Sequence, residues 1–192
     1  MGKKVMVISG SPVKNGNTSI LVEWFREGAL AGGADVEVID AARLKYKSNG
    51  CASCRLCQKS DKYECVIADD ARPVLARMAY AGAIVFATPL YFFSASAQTK
   101  LVFDRMFSLY KWDNDAGTMK TPLKGKSLFL MASAYEDAGL SALEKPFAMT
   151  ADYTGMKFES LLVANAGVSG SMNGRLDIRD KAVELGRKAA GY

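Results

Sequence analysis

Four thiols fall in one short window, Cys51-Ala-Ser-Cys54-Arg-Leu-Cys57 and then Cys65, in a chain that has no histidine. Thiolates at successive intervals of three residues, with a fourth after a gap of seven, have the spacing to enclose a compact iron–sulfur core or to hold another soft metal. In a reducing compartment such a cluster holds metal or does redox work in preference to forming structural disulfides. The missing imidazole removes Ser-His-Asp and Cys-His nucleophilic catalysis, the 2-His-1-carboxylate iron site and every zinc finger that draws on histidine. Charge around the thiols is lopsided. From Arg43 to Lys62 there are six basic residues (Arg43, Lys45, Lys47, Arg55, Lys59, Lys62) and one acid, Asp61, which reads either as a solvated loop or as a surface for an acidic partner.

Two further stretches carry chemistry. Ser9-Gly10-Ser11-Pro12-Val13-Lys14-Asn15-Gly16-Asn17-Thr18-Ser19 is small, hydroxylated and amide-rich, and it leads into a helix start. Free backbone N–H groups, the positive end of the helix dipole and hydroxyl donors there suit a phosphate monoester. The spacing excludes a Walker A loop, because five residues separate Gly10 from Gly16 and Asn17 follows, and no G-x-G-x-x-G is present. An ordinary strand-to-helix turn has the same composition. Farther on, Thr88-Pro89-Leu90-Tyr91-Phe92-Phe93-Ser94 puts aromatics at the end of a strand, where core or interface packing competes with ligand contact.

The elements that position these residues follow from periodicity. Val5 to Ser9 reads as a strand; Ile20, Leu21, Trp24, Phe25 and Leu30 recur at helical spacing until Gly32-Gly33; Val36 to Ile39 is a second strand. The cysteine segment, 50–66, is the one long connection. Asp69-Asp70, with Pro73 close behind, is expected to cap a second helix that ends at Gly82. Ala83 to Ala87 is a continuous apolar run, as a strand buried on both faces requires. A helix from about Ala95 to Tyr110, a strand at Ser127 to Ala132, a helix at Leu140 to Tyr153, a strand at Phe158 to Ala164 and a helix from Leu176 to Ala190 complete the chain. Five strands alternating with five helices imply a doubly wound parallel sheet, with ligands at its carboxyl edge.

The 192 residues, 49% hydrophobic and 23% charged, are expected to fold as one domain spanning 1–192. The net charge of +5 comes without a nucleic-acid reader motif, so no nucleic-acid partner is expected. No signal-peptide core or membrane span is read, and a cytoplasmic location is expected.

Together, Gly-Ser-Pro-x-Lys-x-Gly-Asn-Thr, Cys-x2-Cys-x2-Cys-x7-Cys, Asp69-Asp70, Thr-Pro-Leu-Tyr-Phe, Lys100 and Asp104-Arg105 resemble the iron–sulfur flavoproteins of the NADPH-dependent FMN reductase and flavodoxin-like superfamily. The resemblance runs from about Lys3 to Met106. It implies a flavodoxin-like sheet of order 2-1-3-4-5, noncovalent FMN, and a [4Fe-4S] cluster on Cys51, Cys54, Cys57 and Cys65. It places Ser9, Ser11, Asn17, Thr18 and Ser19 at the FMN phosphate with Lys14 beside them, and Pro89, Leu90, Tyr91, Phe92 and Ser94 along the isoalloxazine ring. Ser133 and Tyr135 form a third candidate contact. Val13 stands where relatives often carry arginine. The implied activity is oxidoreduction between cluster and FMN, linked to NAD(P)H or a small ferredoxin-like protein, in a homodimer or homotetramer. A cluster-free NAD(P)H-dependent FMN or quinone reductase, a structural zinc site and a thiol redox sensor are the competing readings.

Overall fold

The computed structural model describes residues 2–113 and 115–191. In chain order the elements are β1 (Lys4–Ser9), α1 (Asn17–Ala31), β2 (Asp35–Asp40), α2 (Ala71–Met78), β3 (Ala83–Tyr91), β4 (Ser94–Ala95), α3 (Ala97–Phe103), β5 (Lys111–Asp113), β6 (Thr118–Lys120), β7 (Ser127–Ser133), α4 (Leu140–Thr154), β8 (Lys157–Val163) and α5 (Leu176–Ala190). The five long strands are parallel in the order β2-β1-β3-β7-β8. Counted among themselves, they give the 2-1-3-4-5 order expected of a flavodoxin-like sheet.

Alternation along the strands sends side chains to two cores. Met6, Ile8, Ile84, Phe86, Leu128 and Leu130 meet α2, α3 and α4 on one face. Val5, Val7, Val85, Phe129 and Met131 meet α1 and α5 on the other. Helices α1 and α5 approach closely because Gly28 and Gly186 face each other's backbone. A Cβ at Gly28 would lie 1.9 Å from the Val183 carbonyl, and one at Gly186 would lie 2.1 Å from the Phe25 carbonyl. This tight crossing packs the C-terminal half of α1 onto α5. Among the described residues no helix is long and apolar enough to cross a membrane.

Three features depart from the sequence expectation. The helix expected from Ala95 to Tyr110 stops at Phe103 and tightens into a 3-10 turn at Asp104–Leu109, where the Ser108 hydroxyl takes the Arg105 carbonyl at 2.9 Å. Of the aspartates expected to cap α2, Asp69 draws on the N–H of Ala71 at the helix start, and Asp70 makes no capping bond. Its carboxylate instead accepts from the Lys45 N–H at 2.8 Å, while Asp69 accepts from the Lys47 N–H at 3.0 Å. Finally, β3 folds back on itself through a two-residue hairpin to β4, and β5 pairs β6 in a small antiparallel ribbon.

The hairpin turn is Phe92-Phe93, with φ of 45° and 62°. Two positive φ values in a two-residue turn favour Asn-Gly. Phe92 is 99% exposed and Phe93 packs its ring on Gly139, so only Phe92 holds this conformation without a packing return. Phe92→Asn is therefore expected to raise stability by about 1 kcal/mol, read as a higher urea midpoint at unchanged slope.

Candidate functional site

At the carboxyl edge of the sheet, the loops after β1, β3, β7 and β8 enclose a cleft of about 200 Å³ lined by Ser11, Val13, Gly16, Asn17, Thr18, Pro89, Leu90, Tyr91, Ser133, Ala134, Tyr135, Ala166, Gly167 and Ser169. Helix α1 opens into it. Gly16 occupies the N-cap without a side-chain capping bond, so the first-turn N–H groups have no intrahelical acceptor and point their dipoles toward the cleft. Two side chains in this loop are committed to structure. The Asn17 amide donates to the carbonyls of Ala166, Gly167 and Val168 at 3.0, 3.3 and 3.1 Å, and its oxygen accepts from the Gly170 N–H at 2.9 Å. Asn17 is thus a strut that pins residues 166–170 over the start of α1. Ser11 accepts from the Val13 N–H at 3.3 Å, closing a local turn. Thr18 is buried, its hydroxyl 3.4 Å from that of Ser133.

A buried hydroxyl network holds the loops together. Ser96 donates to the Gly10 carbonyl at 2.6 Å and accepts from the Thr99 N–H at 3.2 Å, while its own N–H reaches Thr88 at 3.0 Å. Gly10 is obligatory here, since a Cβ would lie 1.8 Å from the Thr99 hydroxyl.

The connection from β2 carries the cysteines, and near its start the Arg43 guanidinium donates to the Pro12 carbonyl of the first loop at 3.4 Å. Cys51, Cys54, Cys57 and Cys65 all line one small cavity, together with Arg55, Phe107 and Arg105. Cys51 and Cys54 are exposed; Cys57 and Cys65 are buried. Among the described residues no three Cys, Asp or Glu side chains are close enough to share one ion. Burial pushes the Cys57 thiol up, against the lowering effect of the Gln58 amide at 3.7 Å and of Lys111, so metal binding there must release a proton.

Arg105 forms the floor of this cavity. It is 1% exposed and holds Asp69 through two bonds of 2.8 and 2.9 Å. Burial works against its charge, but Asp69 and the neighbouring Cys65 sulfur outweigh that and keep it protonated. Its Nε–H is buried without an acceptor. An unpaired buried donor beside a thiol is a cost unless an anionic acceptor arrives. Four thiols on one cavity with a spare guanidinium N–H fit a thiolate-held metal centre.

The family model described as NADPH-dependent FMN reductase matches residues 3–167. The chain belongs to the NADPH-dependent FMN reductase family. It is 37% identical over 102 residues to an "Iron-sulfur flavoprotein" of Methanocaldococcus jannaschii, covering 53% of this chain and 51% of that protein. It is 38% identical over 103 residues to an "Iron-sulfur flavoprotein" of Archaeoglobus fulgidus, covering 53% and 48%. The chain therefore spans about half the length of the curated relatives it matches. In structure it resembles an "NAD(P)H:quinone oxidoreductase from Methanothermobacter marburgensis" with a TM-score of 0.67 over 99% of this chain and 96% of that one, at 19% identity, which is a likeness of fold.

For a member of this reductase family, the structure brings together Ser11, Asn17, Thr18, Pro89, Leu90, Tyr91, Ser133 and Tyr135 of the residues singled out in the sequence. Ser9, Lys14, Ser19, Phe92 and Ser94 lie outside the cleft lining; Lys14 and Ser94 are exposed, and Phe92 projects away from the protein. The sequence reading missed Ala166, Gly167 and Ser169. Their signal was present, because Ala-Gly-Val-Ser-Gly follows the last strand, at the sheet edge where such folds bind ligands.

Proposed function

We propose that this chain is an oxidoreductase that binds FMN in the cleft at the N-terminus of α1 and a [4Fe-4S] cluster on Cys51, Cys54, Cys57 and Cys65. The observation that carries the reading is a cavity lined by all four thiols over a buried arginine whose Nε–H lacks an acceptor, in a chain whose α1 starts uncapped beneath the Asn17 strut. The relatives named as iron–sulfur flavoproteins support it.

The residues divide the work. The free N–H groups at the start of α1 bind the phosphate, with the Ser11 and Thr18 region shaping the cradle and Lys14 adding charge from outside. Pro89, Leu90 and Tyr91 form one wall for a flat ring and Ser133 to Tyr135 the other, excluding water from its faces. Bound FMN supplies hydride acceptance and single-electron transfer, chemistry that needs no histidine. Cys51, Cys54, Cys57 and Cys65 would hold the cluster, which would supply single-electron transfer, and the Arg105 Nε–H, which has no acceptor, would donate to a sulfur beside Cys65. Electrons enter from NAD(P)H or from a small acidic ferredoxin-like protein drawn to the basic loop, and a fall in that protein's reduction rate with added salt is expected. Assembly as a homodimer or homotetramer and folding as a single domain belong to the same reading.

The phosphate cradle is tested by comparing FMN with riboflavin. One charge-assisted anchor of about 2.7 kcal/mol predicts roughly hundredfold tighter binding of FMN, read by flavin fluorescence quenching. Equal affinities would remove the phosphate from the account. The match to the family model described as NADPH-dependent FMN reductase favours a second reading, a cluster-free FMN or quinone reductase, which shares the cleft and differs in carrying no iron.

A further inference from the structure

We propose that a hollow of about 400 Å³ walled by Arg55, Lys59, Phe107, Tyr110, Trp112 and Tyr153 is a second ligand site, for a planar aromatic molecule bearing negative charge. It adjoins the thiol cavity through Arg55 and Phe107 and shares no residue with the cleft at α1. Its volume falls in the range of small-molecule sites, and its lining is what such sites have: several aromatic faces and a few convergent polar groups.

The walls are braced in place by the protein's own bonds. Gln58 donates to the carbonyls of Tyr110 at 2.9 Å and Phe107 at 3.4 Å, and accepts from the Trp112 N–H at 3.1 Å. Phe107 and Tyr110 stand edge to face at 4.8 Å, and Tyr110 and Tyr153 at 5.9 Å. This buttressing leaves Trp112 and Tyr153 about half exposed, at 48% and 56%, apolar ring surface at a cavity that no described residue fills.

The charge is also unspent. Neither Arg55 nor Lys59 has an acidic partner within 4.0 Å among the described residues. Arg55 is held with φ of 54°, a conformation that costs energy for a residue with a Cβ and therefore marks a constrained position. Tyr110 adds a phenolic hydroxyl, a hydrogen-bond donor at neutral pH. Aromatic faces, two cations and a phenolic donor select a flat anion; an anionic quinone and an aromatic carboxylate or sulfonate share that chemistry. Arg55 and Phe107 line this hollow and the thiol cavity alike, so a ligand here sits one side-chain layer from the cysteines.

The test uses the full chain, oxidised and with excess FMN so that the α1 cleft is occupied, titrated with anthraquinone-2-sulfonate. Expected is saturable binding of one probe per chain, with Trp112 fluorescence quenched. Lys59→Glu should weaken it about tenfold or more, the size of one charge-assisted contact, and the neutral 2-(hydroxymethyl)anthraquinone should bind wild type about tenfold more weakly. Trp112→Phe should abolish the quench while calorimetry still detects binding. Absence of saturable binding, displacement of the probe by FMN, or unchanged affinity in Lys59→Glu and for the neutral analogue would each overturn the proposal. Lys59 and Trp112 are exposed, so both variants are expected to fold, and none of these outcomes depends on whether the cysteines hold iron.

Discussion

Asp69→Asn is expected to cost about 3–5 kcal/mol of folding stability, a large share of the roughly 5–15 kcal/mol that holds a domain together. Both side chains of the Asp69–Arg105 pair are 0% exposed. Removing the carboxylate's charge strands a guanidinium in the core next to Cys65, with its Nε already lacking an acceptor. The same change loosens the backbone of the loop that leads to the cysteines, because Asp69 also holds the Lys47 N–H. The pair is worth less than this penalty; replacing both residues at once, as in Asp69→Leu with Arg105→Met, should cost much less than the two single changes summed. Urea titrations of the four proteins measure it. Additive costs would show that the two charges do not depend on each other.

The pair also sets a pH dependence. Burial alone would raise the Asp69 carboxyl, but the bonds from Arg105 and the Lys47 N–H outweigh it and hold it below the ordinary value. A depressed carboxylate contributes stability that is complete above its unfolded value of about 3.9 and is lost as pH falls through the folded one. Wild type should therefore lose stability below about pH 4, and Asp69→Asn should show a flatter acid limb.

Cys57→Ser is expected to reduce bound metal by about tenfold or more while leaving the parallel sheet folded. Cys57 is a buried thiol fixed in orientation by its neighbours: the Gln58 amide contacts its sulfur and the Lys111 ammonium bonds its carbonyl. A hydroxyl at that position is a poor ligand for the soft metals that thiolates select. Leu56→Ala, exposed in the same turn, should retain metal. Metal analysis with far-ultraviolet circular dichroism separates the outcomes, and full metal content in Cys57→Ser would remove this residue from the ligand set.

The frame of the molecule was legible because its signals are local. The apolar run of β3 and the helical periodicity of α5 are local, and both elements appear where the sequence puts them. What escaped reading depends on distant partners. Asn17 looked like a phosphate ligand, yet its amide serves a loop about 150 residues away. Asp69 and Asp70 carry the composition of a helix cap, but a buried arginine and the backbone at 45–47 compete for them. The Phe92-Phe93 turn defies turn chemistry, so no propensity announces it. At the candidate centre the cysteine spacing was plain in the sequence, whereas the arginine beneath it sits 40 residues beyond Cys65 and only folding brings the two together.

The account turns on what the four thiols hold. Iron, acid-labile sulfide, zinc and FMN should be measured per chain on protein purified without oxygen. About four iron and four sulfide with one FMN are expected, the content of one thiolate-held cubane and one flavin. FMN with neither iron nor sulfide, or zinc in place of iron, would contradict it.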